Sequence, residues 1–409
     1  MVVHSETSDA GVRTSGGAAS PGELLRLVRT GAASTRKDLQ RVTGLSRSTV
    51  TQRVDLLLDA GMLREEGSRG GAGRPRPATR LAFADTCGHL LFAGLHAHHA
   101  ELAVVDLAGR VLHRRETTVE ISDGPDPVLA ELERRLATLS ADAGVDPAGT
   151  VAVVLGVPGP VDVSVGRILQ PPLMPGWHDH PVRDRLADRL GVPVFVENDA
   201  NLMALGEQRT HWAEVAHLLL VRVGSGIGAG IVLDGRLHRG VDGGAGDIGH
   251  IRMAGHERPC ACGATGCLAA VASGSALVAE LAEAGAGVNS VADVRALVQR
   301  GDAAAVTAVR RAGQLAGEVL TTVVSVLNPE VLVLGGDLAH SDGHFVTGLR
   351  EVIYQRSLPR ATRRLRVVTA RLGPQAPVAG AAALAVDEVF APAAVDARLR
   401  SRCLAAGTG

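Results

Sequence analysis

From Cys87 onward, short apolar runs rich in Val and Leu alternate with Ala-rich stretches of helical period. Apolar runs of four to eight residues bury as strands, and longer runs with apolar residues three and four apart bury as helices. Their repeated alternation predicts α/β units. Strands are expected at Leu90–Leu95, Leu102–Asp106, Val151–Gly156, Val194–Val196, Leu218–Val223, Gly230–Leu233 and Val331–Leu334. Helices are expected at Pro127–Ala141, Val182–Leu190, Ala200–Glu207, Ala276–Ala284 and Ala303–Leu327. No closely repeated unit is visible, so any duplication is one of structure only. At 409 residues the chain exceeds one ordinary domain, and its 46% apolar content supplies buried cores and argues against global disorder. No apolar run reaches the roughly 18 residues that span a bilayer, and Met1–Ser20 lacks a basic-then-apolar leader pattern. The expectation is a cytoplasmic protein with no membrane partner.

The net charge of −1 hides an asymmetry. Residues 21–83 carry twelve Lys or Arg against six Asp or Glu, giving +6, and residues 1–20 carry −1, so residues 84–409 carry −6. A basic head on an acidic body points to a polyanionic partner for the head alone. Within it, residues 1–20 read as a flexible tail. Leu24, Leu25, Leu27 and Val28 then mark a first helix. A second runs through Arg36–Val42, capped by Ser34 or Thr35, with Leu39 and Val42 inward. After Gly44 a third helix begins, with Ser46 at its N-cap and Val50, Val54, Leu57 and Leu58 as its buried stripe. Its early polar face carries Arg47, Ser48, Thr49, Thr51, Gln52 and Arg53, the hydrogen-bonding and guanidinium groups that read base edges and hold phosphates. Two short strands around the Gly/Arg-rich segment 67–77 form a wing, in which Arg74 and Arg76 flank prolines that keep the chain extended. Such a segment suits a minor groove or the DNA backbone. The set resembles the winged helix-turn-helix of bacterial repressors, although three helices of this length also build protein-interaction modules.

Three of the five cysteines fall within eight residues, which reads as a metal site rather than a disulfide framework. His250, Cys260, Cys262 and Cys267 give the spacing H-x9-C-x-C-x4-C. Three thiolates and one imidazole suit one tetrahedral zinc, and with no ligand position left open that zinc is structural. Gly224, Ser225, Gly226 and Gly228 lie in a Gly-rich stretch of the kind whose backbone N–H groups cradle phosphate, though Gly-rich turns are common. An Asn198-Asp199 pair after a strand serves equally as a plain helix cap.

Taken in order, Gly156–Asp162, Val196–Asn201, Gly224–Gly230, Gly246–His250, Cys260–Cys267, Leu327–Glu330 and Gly335–Asp337 resemble the motifs of the ROK family of repressors and sugar kinases. The resemblance covers nearly the whole chain, since many ROK repressors carry a winged helix in front. It implies an α/β fold: an N-terminal winged helix-turn-helix followed by a two-lobed, actin-like ATPase fold with a sugar cleft between the lobes, assembled as a homodimer or homotetramer. The expected organisation is a tail at 1–20, a DNA-binding domain at 21–83, lobe one at 84–199 rejoined by 376–395, lobe two with the zinc at 200–375, and a C-terminal tail at 396–409. The resemblance makes Asp199 the family's catalytic base and assigns sugar contact to Gly159, Asn198, Asp247 and His250.

Several positions depart from the family pattern. The Asp-x-Gly-Gly-Thr loop that holds ATP phosphate falls on Gly94-Leu95-His96-Ala97-His98, without its carboxylate, glycines or threonine. The histidines His96, His98 and His99 read as solvated or core residues rather than a metal site. Ala269 stands where the family has a glutamate, Asp247 replaces a glutamate, and Pro172 stands where a sugar-binding Asn is usual. Each orphaned ligand hydroxyl costs roughly 1–3 kcal/mol. ATP-dependent sugar phosphorylation is therefore not expected, and Asp199 is a vestigial base. The expectation is a transcriptional regulator, a repressor, bound to a double-stranded operator with inverted repeats and responsive to a sugar or sugar derivative. The alternatives are a sugar kinase with a fused DNA-binding head, and a regulator with a degenerate pocket.

Overall fold

The computed structural model describes residues 19–67, 79–172, 174–340 and 343–406, with side chains to residue 402. The chain divides into two compact units, one from Met1–Cys87 with Asp387–Gly409 and one from Gly88–Val386.

In the first unit, α1 (Pro21–Arg29) starts where the Ser20 hydroxyl accepts from Glu23 N and buries Leu24, Leu25, Leu27 and Val28. Helix α2 (Arg36–Thr43) is capped by Thr35 and closes at Gly44, whose φ of 71° favours glycine. Only Leu39 of α2 is buried; Val42, expected inward, is 45% exposed because it lies off the packed face. Helix α3 (Arg47–Asp59) is capped by Ser46 and buries Val50, Val54 and Leu57, with Leu58 half-buried. Strands β1 (Leu63–Glu66) and β2 (Arg80–Phe83) pair antiparallel with Leu63 opposite Phe83. These are the expected wing strands.

The C-terminal segment expected as a tail is instead helical over Pro392–Ala406. Its arginines obscure the apolar stripe, but Val395 and Leu399, one turn apart, are both buried. It docks on α1, where Gly22 N donates to Asp396 Oδ1 at 2.8 Å. Asp387 Oδ1 accepts from Arg29 Nη1 at 2.6 Å, and Phe390 meets Phe83 edge to face with centroids 5.0 Å apart. Residues from Asp387 onward thus belong with the helical head, so the return into lobe one ends earlier than the expected 395.

The second unit holds β3 (His89–Leu95), β4 (His99–Asp106), β5 (Val111–Thr118), α4 (Pro125–Asp142), β6 (Thr150–Val157), β7 (Val161–Asp162), β8 (Arg167–Ile168), α5 (Val182–Leu190) and β9 (Val194–Asn198). Then follow α6 (Asp199–His211), β10 (Leu218–Val223), β11 (Ile227–Leu233), β12 (Arg236–His238), α7 (Leu268–Ala272), α8 (Gly274–Glu283), α9 (Val291–Gln299) and α10 (Ala303–Leu327). The unit closes with β13 (Val331–Gly335), α11 (His344–Arg356), α12 (Pro359–Thr362), β14 (Arg366–Thr369) and α13 (Ala376–Val389).

Two five-stranded sheets carry this unit, ordered β5-β4-β3-β6-β9 and β12-β11-β10-β13-β14. Each has the same plan: three antiparallel strands in sequence, then two parallel strands on the other side of the first. The duplication is therefore one of topology. Strand β3 is buried along its whole length, as a central strand covered on both faces requires. Separate apolar clusters lie on the first sheet, around Trp177, Leu129 and Leu155, and on the second, around Leu219, Leu332 and Phe345. Among the described residues no single helix is long and apolar enough to cross a membrane.

Candidate ligand cleft, metal centre and DNA-reading helix

In open α/β sheets, ligands bind at the carboxyl ends of parallel strands where the sheet order switches sides. Here His96 follows β3, Pro158 and Gly159 follow β6, Asp199 follows β9 and Ser225 follows β10; all line one cavity of about 530 Å³. Of the ligand residues expected from sequence, Gly159, Asn198, Asp199, Asp247 and His250 all face it, as do Ser225, Gly226 and Gly228 but not Gly224. The departures His96, Pro172 and Ala269 line the same space.

The Gly-rich stretch is not one loop. Gly228 lies on β11 opposite Arg222, so only Gly224-Ser225-Gly226 forms the turn. The later glycines are required by close packing: a Cβ on Gly230 would stand 2.4 Å from the Ala200 carbonyl oxygen of α6. Asn198 does serve as a helix cap. Its Oδ1 accepts from Ala200 N at 2.9 Å and Asn201 N at 3.3 Å, while its Nδ2 donates to Gly159 O at 3.0 Å. One Nδ2 proton remains for a ligand.

Sequence reasoning missed two arginines. Arg222, on β10, brings its Nε to 3.4 Å from Asp199 Oδ2. That oxygen is buried and has no hydrogen-bond partner, so the contact is an ion pair out of hydrogen-bonding line. Burial, aided by His99 and Arg222, pushes the nearby His96 imidazole down to about 4, so it is neutral at pH 7. Arg239 heads the loop that carries Asp247 and His250. Its Nε donates to Glu197 Oε2 at 2.6 Å, and Glu197 Oε1 accepts from Asn198 N at 3.0 Å and Asn201 Nδ2 at 2.9 Å. The same loop reaches β7 at Gly243, where φ is 84° and a Cβ would fall 1.9 Å from Val161 O. No sequence signal marked either arginine, because each meets its carboxylate across more than 20 residues of chain.

His250, Cys260, Cys262 and Cys267 converge, with every pair of ligand atoms within 4.8 Å. Tetrahedral zinc with bonds of about 2.3 Å to sulfur and about 2.05 Å to nitrogen sets thiolates about 3.8 Å apart and a thiolate–imidazole pair about 3.6 Å apart. The Cys262–Cys267 sulfurs are 3.7 Å apart and Cys260 Sγ lies 3.6 Å from His250 Nδ1. The donor set fits zinc in number, chemistry and spacing. His250 also lines the cavity, and with Nδ1 turned to the thiolates its Nε2 is not taken up by the metal set. Cys87 lies in the other unit.

In the first unit, Arg47, Ser48 and Gln52 are exposed, and Thr49, Thr51 and Arg53 half-buried. Ser46 is engaged as the cap: its hydroxyl accepts from Thr49 N at 3.2 Å and bonds the Ser48 and Thr49 hydroxyls. Arg53 Nη1 donates to the Ala19 carbonyl, which draws it off the free face. Arg74 and Arg76 lie outside the described residues.

The ROK family matches residues 94–388. The chain belongs to the ROK family. It is 26% identical to the xylose repressor of Caldicellulosiruptor bescii over 381 residues, covering 90% of this chain and 95% of that one. It is 30% identical to the glucokinase of Halalkalibacterium halodurans over 297 residues, covering 68% of this chain and 89% of the kinase. The crystal structure of a ROK family transcriptional regulator, a homologue of the E. coli Mlc protein, matches with a TM-score of 0.80 at 28% identity, covering 93% of this chain and 98% of that chain. The repressor match takes in the helical head as well as the two-sheet unit; the kinase match covers a share close to that of the ROK region alone.

Proposed function

We propose that this ROK protein is a sequence-specific, DNA-binding transcriptional repressor whose two-sheet unit binds a sugar or sugar derivative. The carrying observation is the exposed early face of α3, with Arg47, Ser48 and Gln52 on a helix whose opposite side is packed. Arg47 and Gln52 supply the fork and amide that read base edges, and the wing with Arg74 and Arg76 adds backbone or minor-groove contacts. A homodimer would carry two such helices and favour an inverted repeat. A ligand that prefers one arrangement of the cleft shifts the population of DNA-competent assemblies. Zinc held by His250, Cys260, Cys262 and Cys267 would cross-link the segment that carries His250 to the cavity wall.

Kinase turnover is not part of this reading. Asp199 and the Gly224–Gly226 turn survive, but His96 and Ala97 line the cavity where the family's phosphate loop is expected. The test is binding of the full chain to DNA from upstream of its own gene, at fixed salt because phosphate contacts make affinity steeply salt-dependent. Selective binding released by a sugar supports the reading. Absence of selective binding refutes it, and sugar-dependent ATP consumption in a coupled assay would refute the non-enzymatic part.

A further inference from the structure

Two arginines line the cavity, and they are differently committed. Arg258 Nη2 is spent on Glu283, donating to Oε1 at 2.7 Å and Oε2 at 2.8 Å. Arg222 offers only its Nε edge to Asp199. Its terminal nitrogens make no hydrogen bond among the described residues, and they lie over the turn after β10: a Cβ on Gly224 would sit 3.5 Å from Nη2. The turn is fixed from behind, since Gly274 N, at the start of α8, donates to Gly224 O at 2.7 Å. Ser225 and Ser275 line the cavity beside it. Next to this free fork is the buried Asp199 Oδ2, which has the Arg222 charge beside it but no hydrogen bond, an acceptor awaiting a donor.

A ligand that satisfies both groups needs an anionic, multi-oxygen acceptor for the fork and a hydroxyl donor a few ångströms away for the carboxylate. A neutral sugar satisfies Asp199 and leaves the guanidinium fork without its preferred planar acceptor. We infer that Arg222 is an anion anchor and that the cleft takes a sugar phosphate, with the phosphate on Arg222 and a neighbouring hydroxyl on Asp199. The inference rests on reading the cleft as an effector pocket. Asp199 orients the guanidinium through Nε while the Nη edge holds the phosphate, so the carboxylate and the phosphate lie on different edges of one cation. No bond is made or broken.

The experiment is calorimetric titration of the full chain, at fixed salt in a phosphate-free buffer. The probes are glucose 6-phosphate and xylose 5-phosphate, their unphosphorylated parents and inorganic phosphate. A phosphate ester should bind at least about tenfold more tightly than its parent, the scale of a charge-assisted bond. Arg222→Gln should bring the ester-to-parent affinity ratio, measured within the same variant, down to about one, and Arg222→Lys, which keeps the charge and loses the fork, should fall between. Melting curves of both variants confirm that they are folded. The inference is overturned if neither ester binds, if a parent binds as tightly as its ester, or if Arg222→Gln keeps the preference. Operator binding without ligand is measured on the same samples. In the parent protein, absence of a phosphate preference with operator binding intact refutes the anchor alone, whereas a preference that depends on Arg222 without selective DNA binding supports the anchor and refutes the repressor reading.

Discussion

Replacing Arg239 with Met tests how the loop bearing Asp247 and His250 is held against the first sheet. Glu197 is 1% exposed, so its carboxylate depends on the partners given it by the fold. Oε1 keeps two donors, Asn198 N and Asn201 Nδ2, in the variant, while Oε2 loses Arg239 Nε. Breaking a buried ion pair by removing one partner costs about 3–5 kcal/mol. Here the two surviving hydrogen bonds offset part of that. Arg239 is 23% exposed, so water can also approach the vacated side, and about 2–3 kcal/mol is expected. In a unit of about 300 residues this lowers the melting temperature by roughly 3–5 °C.

The readout is already built in. The chain's two tryptophans, Trp177 and Trp212, are both buried in the Gly88–Val386 unit, so their fluorescence in urea reports that unit and not the helical head. Adding Glu197→Gln to Arg239→Met removes the uncompensated charge while keeping acceptor and shape. The double variant should recover more than half of the loss. A loss under about 1 kcal/mol in the single variant, or a double variant no more stable than the single, would refute the claim that this pair carries the loop.

Cys262→Ser should lower bound zinc from one per chain and reduce thermal stability; undiminished zinc by atomic absorption rules the ligand set out. Arg47→Ala should weaken operator binding about 5- to 100-fold and reduce the salt slope without changing the melting curve, as checked by fluorescence anisotropy. The depressed pKa of His96 bears on acid stability. Folded His96 resists the proton that the unfolded chain takes up below the ordinary histidine value of 6.5, so stability is lost as pH falls from there towards about 4. The facing groups Arg222, Asp199, His99 and Glu116 stay in place in a His96→Asn variant. That variant should lose about 2 kcal/mol less than the parent between pH 7 and pH 4.5 in urea titrations; equal losses refute the assignment.

What was legible in the sequence is what short-range chemistry determines. The three helices of the head, the cap at Ser46, the choice of Ser34 or Thr35 that falls on Thr35, and the convergence of His250 with three cysteines all follow from spacing along the chain, whereas the Ser20 cap lay in a stretch read as tail. The C-terminal helix was hidden because Arg398, Arg400 and Arg402 mask a stripe of only two apolar residues, and its partner α1 lies more than 360 residues away. The Gly-rich stretch looked like a single phosphate loop because a glycine that permits a turn and one that permits α6 to approach β11 are the same letter. Arg222 and Arg239 were invisible for a different reason. Each is an ordinary charged residue until the two sheets bring it to Asp199 and Glu197.

Those two pairs also explain why the cleft is built at this place in the fold. The two sheets share one strand order, and the last strand of the first, β9, leads straight into Asp199 with Glu197 two residues earlier. Both carboxylates meet cations from the following half of the chain, Arg222 from β10 and Arg239 from the loop after β12. Burial treats the pairs differently. Arg239 and Glu197 are closely hydrogen-bonded and fasten the loop, whereas Arg222 and Asp199 are out of line, border a cavity and leave an acceptor unsatisfied. A pair that fastens has little left to offer a ligand; a pair that fails to satisfy itself does. The unsatisfied pair lies where the two halves face the cavity, so a ligand binding there engages both halves at once, as a regulator that reports occupancy through shape requires.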